Sequence, residues 1–363
     1  MIHKQEIYAK QLYQELQNKF HGRQNAITKI LRLKKNNESN SDIKISIEGA
    51  GVHWQCKVSK GKRQSITHCF DVDFTNLEYK GPDYLTRFET NGHDEASGRT
   101  FDMINTIEAV TIWLEGKTVE DLYSKFSFID EDKRKLEGIK TDIINLYPQI
   151  LNSSVKDVFE EKFSTLSSLW IKQESRSCRV YYYGYELNPR YLFNWDDSLM
   201  FETLSSETDR MALLIKRWVV DNAIPSVLTN EFPEIKFGKL AEYYEQGNGI
   251  EGEFIMSWDS IEQFYDEINH EKKDEIFKLI RQIRSNGFDK TLRAGQSLYT
   301  LILSRSRRHG LKENQNSISF AFDFIKSAME VGMQKGEKLV FDKIEYTDAI
   351  DRLLKSLEQE PID

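Results

Sequence analysis

Chemistry-bearing residues concentrate in the stretch Thr291–Leu311, TLRAGQSLYTLILSRSRRHGL. The apolar run Leu298–Leu303 reads as the core of one strand. Arg293, Gly295, Gln296 and Ser297 precede it, and Ser304, Arg305, Ser306, Arg307, Arg308 and His309 follow. In an extended chain Arg305 and Arg307 share one face, with Ser306 and Arg308 on the other. Guanidinium forks bind phosphate through paired hydrogen bonds, and hydroxyls and glycine-adjacent amides add donors to the same anion. The stretch is therefore a candidate phosphate or nucleic-acid contact made by Arg293, Gln296, Ser297, Arg305, Arg307, Arg308 and His309. The competing reading is a solvated strand end whose arginines pair with acidic neighbours from the middle of the chain.

A second constellation lies nearer the N-terminus. Asp42 opens one strand-like run, and Trp54-Gln55-Cys56-Lys57 sits in the next. An acid followed by Glu/Gln-x-Lys on a neighbouring strand resembles the metal site of PD-(D/E)xK restriction-type nucleases. The resemblance spans Asp42 to Lys57 and implies that carboxylates hold Mg²⁺ while Lys57 positions or activates the attacking water. Gln55 stands where that family has its second acid, and Glu48, even-spaced from Asp42, is the replacement in reach. The alternative is a β-meander whose Lys57, Lys60, Lys62 and Arg63 guard a wet edge. Glu78-Tyr79-Lys80 repeats the E-x-K pattern.

Other candidates are sparser. Asn194–Asp197 (NWDD) with Glu202 offers hard oxygen ligands for a divalent ion, or simply solvated carboxylates near a helix end. His53 and His68 lie on adjacent strand-like runs beside Cys56 and Cys69, and a zinc site there needs one particular strand register. Tyr181–Tyr183 offers rings for base stacking. The chain has no GxxxxGK[ST], GxSxG or HExxH, and no GxGxxG after a strand. No cofactor is expected, with Mg²⁺ required only under the nuclease reading.

The charge is uneven. The 363 residues carry a net −8. Residues 1–63 hold 13 Lys+Arg against 5 Asp+Glu, and residues 272–312 hold 11 against 3. Each segment is thus net +8, leaving −24 on the rest. Such segregation suits polyanion contact through counterion release, or mutual neutralisation of neighbouring domains. Three cysteines without CxxC spacing give no disulfide framework, so a reducing, cytoplasmic location is expected. No apolar run reaches signal-peptide or membrane-span length, so no membrane partner is expected.

These residues must be positioned by an α+β fold. Residues 4–20 have helical spacing. Ile43, Ile45 and Ile47 alternate with polar residues, Val52–Ser59, Ser65–Phe74 and Tyr84–Thr90 continue as strands, and short links favour antiparallel pairing. Helices are expected over 100–115 (ended by Gly116), 118–126 and 131–147. A helix of about ten residues is expected from Ser153, then strands over Arg179–Glu186 and Tyr191–Phe201. The next helix carries Met211, Leu214, Ile215, Trp218 and Val219 behind a Ser206/Asp209 capping box. Further helices are expected over 257–268 and 272–286, strands over Ser297–Ser304, Ser317–Phe324 and Lys338–Ile344, and a closing helix capped by Thr347. Asn36–Ser41 and Gln246–Gly252 read as loops. The expected organisation is an N-terminal domain (1–150) with an antiparallel sheet and flanking helices, a helix-rich mixed middle region (151–270), and a C-terminal region (271–363) with a small sheet closed by a helix.

The leading functional expectation is a nucleic-acid-binding accessory protein acting through the Arg/Ser-rich C-terminal strand, with Arg23–Lys35 and Lys57–Arg63 as further contacts. The alternatives are a Mg²⁺-dependent nuclease using Asp42, Gln55 and Lys57, and an inhibitor, antitoxin or scaffold subunit that joins a protein complex through its acidic middle. Whether the chain is an enzyme stays open at this stage.

Overall fold

The computed structural model describes residues 11, 14–15, 32–36, 40–49, 52–60, 84–91, 93–152, 154–160, 167–182, 187–268, 273–308, 315–323, 325, 327–333, 336 and 338–362. The fold is α+β, and among the described residues there are three antiparallel sheets in which every strand pairs with its neighbour in sequence. The chain divides into two compact units. One comprises residues 1–140 and 158–168, the other 141–157 and 169–363.

The first unit holds β1 (Arg32–Asn36), β2 (Asn40–Gly49), β3 (Val52–Lys60), β4 (Tyr84–Thr90) and β5 (His93–Thr100), paired in that order. Strands β1 to β3 are described by their backbone pairing. The register sets Ile43 opposite Val58, Ile45 opposite Cys56 and Ile47 opposite Trp54, and sets Cys56 opposite Phe88. Directly opposed residues share a face, so the isoleucine alternation builds one apolar face. Helix α1 (Met103–Leu114) covers it, burying Ile107, Ala109, Val110 and Trp113 with Phe88 and Ala96. Asp102 caps α1 by accepting from the Ile104 and Asn105 amides, and Gly116 ends the turn at φ 77°. Helices α2 (Val119–Lys125) and α3 (Glu131–Leu146) follow where the spacing places them.

The second sheet is β6 (Ser154–Glu160), β7 (Ser167–Gln173), β8 (Arg176–Tyr181), β9 (Arg190–Trp195) and β10 (Ser198–Leu204). Helices α4 (Thr208–Ile215), α5 (Pro225–Glu231), α6 (Lys239–Glu245) and α7 (Gly249–Glu267) come next. Then follow α8 (Lys273–Ser285), a third sheet of β11 (Arg293–Ser297), β12 (Thr300–Ser304), β13 (Ser317–Asp323), β14 (Ala328–Met333) and β15 (Lys338–Phe341), and α9 (Asp348–Glu358). Helix α7 joins this third sheet. Trp258, Ile261 and Tyr265 are buried in one core with Ile276, Ile280, Leu301, Phe320, Val331 and Leu354. Trp258 Nε1 donates to the Leu292 carbonyl at 2.7 Å, and Ser257 Oγ accepts from the Ala294 amide at 2.9 Å.

Several sequence expectations need correction. The helix expected from Ser153 is the strand β6, where β-branched Val155 and Val158 favour the extended chain. Ser206 does not cap α4. Its N-cap is Glu207, without a side-chain cap, and a five-residue π-helical turn, Lys216–Val220, carries Trp218 and Val219. Tyr191–Phe201 is two strands, because Asp196 and Asp197 turn the chain at φ 52° and 64°. Ser297–Ser304 is likewise a hairpin. Leu298 sits at its tip at φ 53° and is 84% exposed, so it is no part of a strand core. Strand β14 was not expected. Of the helix expected over 4–20, Gln11, Gln14 and Glu15 are described and helical. The strand expected at Ser65–Phe74, the E-x-K at Glu78–Lys80 and His68 lie outside the described residues.

The Gln246–Gly252 loop is also shorter than expected, since α7 starts at Gly249. Its glycines bring α7 close to α6. A Cβ at Gly252 would stand 2.5 Å from Tyr243 Cβ, and one at Gly249 would stand 2.9 Å from the Tyr244 ring. Gly252→Ala is expected to destabilise the protein by about 1–3 kcal/mol through overpacking. Exposed mid-helix Gly138, with nothing near its Cβ position, is the counter-case: Gly138→Ala should stabilise by about 0.5–1 kcal/mol. Denaturant titration of both variants checks the pair.

Candidate functional site

The C-terminal arginines spend their donors inside their own unit. Strand β12 ends at Ser304, so the residues after it do not alternate faces as an extended strand would. Arg305 donates to the Glu360 and Thr291 carbonyls at 2.9 and 3.0 Å, and Arg293 donates to the Arg307 carbonyl at 3.0 Å. Arg307 bridges Asp196 at 2.5 Å and Glu253 at 3.1 Å, and Arg308 meets Glu253 at 2.8 Å. Ser306 is buried and donates to the Arg308 carbonyl. Gln296 and Ser297 are exposed beside the hairpin tip, apart from this knot, and His309 lies outside the described residues. Other charges of the basic segment are matched in the same way. Arg284 pairs with Asp259, Glu262 and Asp289, Lys273 with Asp266, and Lys290 with Glu251.

Glu253 is the hub of this network. It is 5% exposed and projects from the first turns of α7. Ser198 Oγ donates to it at 2.7 Å, and the Tyr244 hydroxyl donates to it as well. Burial alone would raise its carboxyl. Hydrogen bonds from Arg307, Tyr244, Ser198 and Arg308 outweigh burial and hold it below the usual carboxylate range. The Tyr244 hydroxyl is pushed up to about 12 by burial and by its bond to Glu253. A carboxylate saturated by four donors and compensated by two guanidinium groups has no capacity left as a general base. The arrangement is a structural pin. Sequence reasoning missed it, although a glutamate on the stripe shared with Ser257 and Ile261 was the available signal.

A second buried cation lies in β8. Arg176 is 2% exposed, with its guanidinium 3.5 Å from the Trp195 ring centroid and 3.9 Å from that of Trp218. Burial lowers it to about 10, which leaves it charged at neutral pH. Two indole faces replace the water it has lost.

The metal candidates are dispersed. Asp196 pairs with Arg307, Asp197 with Lys172 and Glu202 with Arg190. Among the described residues no group of three His, Cys, Asp or Glu side chains is placed to hold a metal ion. In the first unit, Asp42, Gln55 and Lys57 fall on one face of the sheet. Asp42 is opposite Ser59, four positions from Gln55, or about 13 Å along the strand. Glu89 stands directly opposite Gln55 on β4.

The same register aligns the basic residues of this face. Arg32 is opposite Lys44, Lys44 opposite Lys57, Lys57 opposite Arg87, and Arg87 opposite Ser97. Four cations thus form one row across β1 to β4, where like charges directly opposed destabilise a sheet. Arg87, Glu89, Ser97 and Arg99 on this face are half-buried, whereas Thr86 and Phe88 on the opposite face are fully buried. Comparison with protein-family models, with curated proteins and with solved structures gave no match. Among the described residues no helix is long and apolar enough to cross a membrane.

The Glu253 pin has a pH signature. Its folded-state value lies below the unfolded value of about 4.3, so the unfolded chain takes up the proton first as pH falls. Its contribution is therefore present above about pH 4.3 and lost as pH drops through the folded value. Glu253→Gln should cost about 1–3 kcal/mol at neutral pH, because Arg308 loses its carboxylate and Arg307 keeps only Asp196 of the pair it bridges. It should also flatten the loss of stability between about pH 5 and 3. Urea titrations across that range check both, and an unchanged pH slope removes Glu253 from this role.

Proposed function

We propose that the protein binds nucleic acid through the polar face of its N-terminal sheet. The observation that carries this reading is the Arg32–Lys44–Lys57–Arg87 row. Three successive like-charge oppositions work against strand pairing by about 0.2–1 kcal/mol each. An array of phosphates along the row turns that repulsion into attraction and releases the anions' counterions. The basic N-terminal segment that stood out in the sequence supplies three of the four residues. The Arg305–Arg308 segment is not part of this reading, because its donors are engaged within its own unit. The chain is read here as an accessory binder rather than a nuclease, since Asp42 stands about 13 Å from the Gln55–Glu89 pair along the strands.

Replacing both Lys44 and Lys57 by alanine should have two opposite effects. Nucleic-acid affinity should fall by at least about tenfold, with a shallower salt dependence. Thermal stability should hold or rise, because the like-charge opposition is relieved. Anisotropy titrations and melting curves on the same samples read both. A folded double variant with wild-type affinity removes the row from the function. Mg²⁺-dependent shortening of the strands would replace the binder by the nuclease.

A further inference from the structure

We infer that strand β15 is a docking edge for a second copy of this chain, and that two copies pair β15 against β15 in antiparallel register about Val340. A sheet has two edges, each a row of unpaired backbone N–H and C=O groups that another strand can join. In the third sheet the β11 edge is met by helix α7, where the Ala294 amide donates to Ser257 Oγ at 2.9 Å. Among the described residues β15 pairs with β14 alone. Its side chains alternate through that register. Lys338 and Val340 stand opposite Gly332 and Glu330, on the face turned from the core. Leu339 and Phe341 stand opposite the buried Val331 and Met329, on the core face, and both are only half-buried. Val340, inside the strand, is 74% exposed. An edge guarded against strand addition carries a charge or a proline at such a place. Strand β15 carries valine there, one of the best strand formers. Its lysine, Lys338, stands at the first position and pairs with Glu330 at 2.5 Å.

The strand's own sequence identifies the occupant. The run Lys338-Leu339-Val340-Phe341-Asp342 is complementary to its own reverse. With Val340 on the dyad, Lys338 faces the partner's Asp342 and Leu339 faces the partner's Phe341. A two-fold contact repeats every interaction, so each of these pairs forms twice. Lys338 and Asp342 are exposed, and an exposed ion pair such as Lys338–Glu330 holds its lysine only weakly. The opposed Leu339 and Phe341 cover one another and carry the apolar face of Met329 and Val331 across the dyad. A one-residue slip would turn one sheet over, and a two-residue slip would lose the ion pairs, so the register is specified. The contact joins two five-stranded sheets into one continuous antiparallel sheet, within the size that open sheets reach. Main-chain hydrogen bonds supply its affinity, and the side-chain pairs supply its specificity. A contact through one short strand lies at the small end of specific interfaces, so the dimer forms with rising concentration and is not obligate.

The test is sedimentation velocity of the full chain over a range on the order of 1 to 300 µM, which spans weak specific association. The mean mass should climb from that of a monomer toward twice that value. Val340→Lys sets two lysines against each other on the dyad and should raise the midpoint concentration at least about tenfold. Because position 340 is 74% exposed, the melting temperature of that variant at the lowest concentration should stay within about 2 °C of wild type. Lys338→Asp and Asp342→Lys should each weaken association, since acid then meets acid or base meets base. The two reversals combined should restore the midpoint to within about threefold of wild type. A monomer at every concentration overturns the inference, and so does a dimer whose midpoint Val340→Lys leaves unchanged. A double reversal that recovers no association overturns the register about Val340.

Discussion

The larger unit depends on one buried carboxylate. Glu253 receives the Ser198 hydroxyl from the start of β10, the Tyr244 hydroxyl from α6, and Arg307 and Arg308 from the segment after β12. Arg307 then returns to Asp196 in the β9–β10 turn. One side chain thereby ties the second sheet, the α6–α7 pair and the third sheet together. An ionised carboxylate survives at this depth because every lone pair is met. Gly252 stands beside it in sequence, and its missing side chain lets α7 approach α6 closely enough for the contacts to form.

Basic side chains meet acids in both units, as Lys135 does with Glu131 and Lys140 with Glu137 in the smaller one. In the larger one, basic side chains find acids, as Arg284 does with three carboxylates and Arg217 does with Glu231 and Asp221. Arg176 finds two indole rings in place of an acid. In the smaller unit, strand register places cation against cation. Charge pairing in the first case stabilises a chain fold. In the second, the register sets like charges opposite one another, and the proposed nucleic-acid reading is argued from that alignment.

Periodicity was the most legible signal. The Ile43, Ile45 and Ile47 alternation located β2, and Gly116 marked the end of helix α1. Turns were the least legible. Asp196 and Asp197 adopt positive φ, as short polar residues can, but Leu298 does so without any such chemistry, and so its hairpin read as one strand. Gln246–Gly252 read as a linker because its glycines suggest flexibility, while in the fold they serve close approach. The Arg305–Arg308 cluster was visible as chemistry, but its partners Asp196, Glu253 and Glu360 lie far along the chain, and no local pattern announces them. The basic row was half-visible. Lys44 and Lys57 were plainly on strands, but their alignment with Arg32 and Arg87 exists only once three registers are known.

The meander layout of all three sheets bears on how the chain reaches this state. Every strand bonds to its sequence neighbour, so most strand pairing closes short loops, at little entropic cost and early. The Glu253 knot is different. Arg307 reaches Asp196 across 111 residues and Glu253 across 54, contacts that form only when the sheets they join already stand. Sheets first and knot last is the order this connectivity imposes, so truncating Arg307 should accelerate unfolding and leave the folding rate nearly untouched. The ion pairs that tie the larger unit together then act as a latch on its kinetic lifetime and not as its nucleus.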